Sequence, residues 1–88
     1  MVIRHILQYL TTHPDAKDTL RGVLQWWLPR EPAGWEEKDV QEALEALVAK
    51  GWVTQRRLPS AQILYGLNQT KREEVRAFLH ELEHHDEA

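Results

Sequence analysis

Apolar residues recur along this chain with two different periods, and the change between them falls at Gly51. Before it, Val40, Leu44, Leu47 and Val48 stand at i, i+4, i+7 and i+8 with Ala43 beside them, which is the stripe of an amphipathic α-helix. Glu36, Glu37 and Asp39 in the first turn and Lys50 in the last carry the signs that the helix dipole favours. Gly51 then supplies a left-handed cap, so the pattern predicts a helix from about Glu36 to Lys50. After the glycine the chain alternates. Val53, Ile63, Tyr65 and Leu67 point to one side, and Thr54, Arg56, Gln62 and Gly66 to the other. Leu58-Pro59-Ser60-Ala61 forms the turn of a hairpin, with Pro59 fixing the bend. Two strands alone are marginal in water, so the hairpin must lie against helices.

Three more helices follow from the same reasoning. Ile3, Ile6, Leu7 and Leu10 stripe a first helix from about Val2 to Thr12, which His13-Pro14 ends because proline pushes its predecessor out of the helical region. His5 and His13 read as solvated surface residues. Asp15 can cap a second helix, with Asp18 in its first turn and Ala16, Leu20, Val23, Leu24 and Trp27 inward, closed by Leu28-Pro29. Gly22 sits inside that helix at a cost of about 1 kcal/mol relative to alanine, and Trp26 lies off the stripe. Thr19, Gly22 and Trp26 thus share a flank that either receives another helix or forms a partner groove anchored by Trp26. Pro29 to Trp35 is a stiff connection, and Trp35 is placed to staple the third helix by packing on Val40 or its neighbours. Thr70-Lys71-Arg72-Glu73 reads as a capping box opening a last helix, about 71–84, with Val75, Phe78, Leu79 and Leu82 as its stripe. That stripe can pack on the first helix or on a second copy; the pattern leaves both open. The charged tail from Glu83 onward is expected to fray.

Length and composition narrow the classes. Eighty-eight residues make a single domain, 1–88, and the lack of cysteine removes disulfides, thiolate metal sites and a cysteine nucleophile. No apolar run approaches the roughly 18 residues needed to span a bilayer, and the apolar part of the N-terminus is too short for a secretory signal. The expectation is a cytoplasmic protein without membrane contact. A net charge of −3 works against a non-specific grip on polyanions.

The run VxxALxxLVxxGWV from Val40 to Val53, followed by LYGLN from Leu64 to Asn68, resembles the winged-helix superfamily. The resemblance covers a core of about residues 3–68. It implies a mostly helical α+β fold: three helices, a two-stranded β-hairpin wing and a C-terminal helix. In that family the second and third helices form a helix-turn-helix, the third being the recognition helix. Most members bind duplex DNA, and a substantial minority use the same surfaces on proteins.

Charge bears on the choice between those uses. The outward face of the third helix carries Lys38, Glu42, Glu45 and Ala49, flanked by Gln41 and Ala46. From Glu36 to Lys50 five acids oppose two lysines, a net of −3. A helix of that sign repels phosphate, which supplies most non-specific affinity for DNA, and only Lys38 and Gln41 are of the types that commonly read bases. Arg56 and Arg57 on the wing, with Lys71, Arg72 and Arg76 after it, form a candidate basic patch. Charged edge strands also serve simply to prevent edge-to-edge pairing.

Catalytic chemistry finds little footing. His80-Glu81-Leu82-Glu83-His84 fits H-E-x-x-H, but both histidines face away from the apolar stripe, and a catalytic zinc needs three protein ligands and an open position. The four glycines are scattered, and Ser60, the only serine, has no histidine near it in sequence. The expectation is a non-enzymatic module with no cofactor, metal or small-molecule substrate. The favoured partner is another protein or a second copy, met through Thr19, Gly22, Trp26, Lys38, Gln41, Glu42 and Glu45. The alternative is a DNA-binding regulator that grips duplex DNA through Lys38, Gln41, Arg56, Arg57, Lys71, Arg72 and Arg76.

Overall fold

The computed structural model describes residues 2–29 and 35–84. The chain begins with α1 (Val2–Thr12) and a short strand β1 (Lys17–Asp18). One helical turn, α2 (Leu20–Gly22), runs into a π-helical stretch, Val23–Trp27. Then come α3 (Glu37–Lys50), β2 (Val53–Arg57), β3 (Ile63–Leu67), a 3-10 turn over Gln69–Lys71 and α4 (Arg72–Glu83). The result is a mixed α+β domain whose antiparallel sheet has the order β1-β3-β2.

Gly51 does what the change of period requires. Its φ is +89°, and its N–H bonds the carbonyls of Leu47 and Val48, closing α3 in the left-handed conformation that glycine adopts without a Cβ clash. The hairpin follows in the expected phase: Val53 pairs with Leu67 and Arg57 with Ile63. Val53, Tyr65 and Leu67 are buried on the inner face. Ile6, Leu7 and Leu10 of α1 meet Val40, Leu44 and Leu47 of α3, with Val23, Trp27, Val75 and Leu79 completing the core.

Three elements differ from expectation. The sheet has three strands, because Lys17 and Asp18 pair with Gly66 and Tyr65 and thereby satisfy backbone groups that a helix from Ala16 would have used otherwise. The second helix consequently starts later. Thr19, not Asp15, is its cap: Thr19 Oγ1 accepts from the Gly22 N–H at 3.4 Å, while Asp15 accepts from Gln69 across the domain. The last helix is not opened by a Thr70 capping box either. Asn68 Oδ1 accepts from the Thr70 N–H at 3.2 Å and from its hydroxyl at 2.8 Å.

The stripe of α4 packs on α1 of the same chain, with Val75 and Leu79 buried. Trp52 links it to the sheet, since its indole N–H donates to Glu74 at 3.1 Å and its ring meets Phe78 edge-on at 5.1 Å. Trp35 reaches further than a staple onto α3. Its ring lies edge-on to His5 of α1 at 5.3 Å, and its indole N–H donates to the Pro29 carbonyl at 2.8 Å. His5 is therefore half-buried rather than solvated, and burial, aided by neighbouring positive charge including Arg4, pushes its pKa down. The stiff connection expected between Pro29 and Trp35 falls mostly on residues 30–34; of the tail expected to fray from Glu83 onward, Glu83 still closes α4 and the last four residues are 85–88. Both segments lie outside the described residues.

Candidate functional site

Four of the seven expected partner residues come together on the outward face of α3. The helix buries Val40, Ala43, Leu44 and Leu47, and its period turns Lys38, Gln41, Glu42 and Glu45 to water. With Glu37 these four line a shallow depression of about 420 Å³. Gln41 Nε2 donates to Glu45 Oε2 at 3.4 Å, an i,i+4 pair that holds both side chains along the helix. Among the described residues no cation ion-pairs with Glu42 or Glu45. The field of this face reaches the sheet, for burial first and then the Glu45 carboxylate push the Tyr65 phenol above its ordinary value. Beside it, Thr19, Arg21, Gln41, Ile63 and Tyr65 line a second groove where α2, α3 and the hairpin meet.

The flank expected on the second helix does not form one surface. Gly22 is buried, and the space a Cβ would take is filled by the Asp18 carboxylate. Asp18 Oδ1 in turn accepts from the Thr19 N–H at 2.9 Å. Thr19 and Gly22 are thus occupied by the junction between β1 and α2. Trp26 alone projects: 63% of it is exposed, against 4% for Trp27, which stacks on Tyr9 at 5.3 Å.

The basic residues also separate. Arg56 and Arg57 are both exposed on β2, yet as neighbours in a strand they point to opposite faces. Lys71 pairs with Glu74 at 3.6 Å and Arg76 with Glu73 at 3.9 Å, while Arg72 lines a groove shared with Thr11 of α1. Because Val53 pairs with Leu67 at the α4 end of the hairpin, Arg56 and Arg57 stand at the other end, about 10–13 Å further along at the usual rise per residue. The five residues do not make one patch. What joins Arg56 instead is Lys17, which the pairing of β1 with β3 sets on the same sheet face. A strand of two residues has no period by which to recognise it.

The H-E-x-x-H segment ends α4 with His80 and His84 both exposed, their rings 4.2 Å apart and tilted. Among the described residues no group of three histidines, cysteines or acids is placed to hold a metal ion, and no helix is long and apolar enough to cross a membrane. No protein-family model, curated protein or solved structure matches this chain.

Proposed function

We propose that the chain is a non-enzymatic winged-helix module that docks on another protein, or on a second copy of itself, through the outward face of α3. Helices stacked against a three-stranded antiparallel sheet are compatible with that family, the hairpin of β2 and β3 being the wing and α3 the recognition helix. The observation that carries the reading is the sign of the helix face. Glu37, Glu42 and Glu45 are exposed around one depression, with Lys38 the only cation and Gln41 the only amide lining it among the described residues. Such a face attracts a basic protein surface and repels a phosphate backbone, and complementary charge guides both encounter and register. Trp26 offers a separate apolar anchor, since exposed tryptophan is frequent at the centre of protein interfaces.

DNA binding is the second reading, and one observation favours it: Arg56 and Arg57 are exposed without an ion pair among the described residues. Fluorescence anisotropy with a random duplex at low salt separates the two. Lack of binding at low salt, together with a mass that rises with concentration in light scattering, supports assembly. Micromolar affinity with a steep salt slope, lost in Arg56→Glu/Arg57→Glu, would replace the protein-docking reading with a DNA-binding regulator.

A further inference from the structure

We propose that the outer face of the sheet, turned away from the core, is a distinct docking site for an acidic segment of a partner protein. One glutamate or aspartate side chain sits between Lys17 and Arg56, and an adjoining apolar side chain lies on Leu64.

Register puts the site together. Lys17 pairs with Gly66 and Gly66 with Thr54, while Leu64 pairs with Arg56, so all five share one face. They line a groove of about 360 Å³. Its floor depends on a missing side chain. A Cβ at Gly66 would lie 3.1 Å from Lys17 Cγ and 3.2 Å from the Ala16 carbonyl oxygen, so the bare glycine lets the lysine stem lie across β3. Leu64, half-buried, supplies the apolar part.

The two cations approach from opposite sides, because β1 and β2 flank β3. Their strands are about 9–10 Å apart by the usual interstrand spacing, and Arg56 stands two residues, about 6–7 Å, beyond Thr54, which faces Lys17 across Gly66; both side chains are long enough to reach a ligand lying diagonally between them. Among the described residues no carboxylate lines the groove, and neither Lys17 nor Arg56 is in an ion pair. Two like charges converging on an apolar floor in a chain of net charge −3 are complementary to an anion with an apolar neighbour. An acidic, leucine-like peptide segment has that chemistry. A DNA duplex does not, since it lays down one charge per about 1.7 Å and offers no aliphatic side chain to the floor. Pairing of β2 with its own copy is disfavoured because it brings four arginines together in two short strands.

The test is a 15N NMR titration of the whole chain with a capped hexapeptide alternating glutamate and leucine, run beside its glutamine–leucine counterpart and a random DNA duplex. Saturable shifts confined to Lys17, Thr54, Arg56, Leu64 and Gly66, seen with the glutamate peptide only, are the expected result. Lys17→Gln/Arg56→Gln, with spectral dispersion retained, should weaken that binding about tenfold or more. The proposal is overturned if the glutamate peptide gives no saturable shift into the low-millimolar range, or if the glutamine peptide binds equally well. It is also overturned if the double variant binds like the parent, or if the duplex saturates these residues at lower concentration than the peptide.

Discussion

Ala61 holds a backbone angle that an L side chain resists: φ is +71° at the end of the hairpin turn, where its N–H donates to the Leu58 carbonyl at 2.9 Å. The left-handed region costs a residue with a Cβ about 1–2 kcal/mol, and glycine gives back part of that gain through its freer unfolded state. Ala61→Gly is therefore expected to stabilise the fold by about 0.5–1 kcal/mol, read as a higher urea midpoint with unchanged slope. His5 makes a prediction of opposite sense. Its folded pKa lies below the ordinary 6.5 because burial against Trp35 disfavours the imidazolium. As pH falls through 6.5 the unfolded chain takes up a proton at this position before the folded one does. The stability tied to a neutral His5 is thus whole above that pH and lost on acidification through the folded pKa. Thermal melts from about pH 7.5 to about pH 5.5 should show His5→Gln losing less stability on acidification than the parent chain.

At the level of elements, α4 belongs to the fold rather than hanging from it. Leu79 is 7% exposed at the α1–α4 contact, and Trp52 and Asn68 tie the approach to α4 back to the end of α3, the Asn68 amide donating to the Gly51 carbonyl at 2.7 Å. Leu79→Ala should cost about 2–4 kcal/mol, appearing as a single cooperative transition at lower urea; a separate early transition confined to α4 would show the helix to be an independent unit. The long elements were legible in the sequence because α1, α3 and α4 each run for several turns with one apolar stripe. The junction between α1 and the π-helical stretch was not. Asp15 and Thr19 are both good caps, and only the distant pairing of Lys17 and Asp18 with β3 selects the second. Gly66, a glycine inside a strand pattern, was the available sign that another backbone comes close there. The acidic face of α3 was readable from helical period alone. The single basic patch was not a sound inference, because the period of two already sends Arg56 and Arg57 to opposite faces.

On the scale of the whole molecule, charge is sorted by surface: carboxylates on the outward face of α3, and Lys17 with Arg56 on the outer face of the sheet. If the first of these is what keeps nucleic acid away, reversing it should uncover binding that the scaffold otherwise allows. Glu42→Lys/Glu45→Lys adds four positive units and takes the segment from Glu36 to Lys50 from −3 to +1. Both positions are exposed and outside the core, so each change acts on the surface field and leaves packing intact. The two new lysines stand three residues apart on one face, close enough to meet neighbouring phosphates of one backbone. The double variant should bind random duplex DNA more tightly than the parent chain does. The dependence of log K on log salt should steepen by about 0.9 for each phosphate newly neutralised. If the variant and the parent instead bind duplex alike, with the same slope, the acids of α3 do not govern access to DNA, and the charge of that face gives no preference for a protein partner.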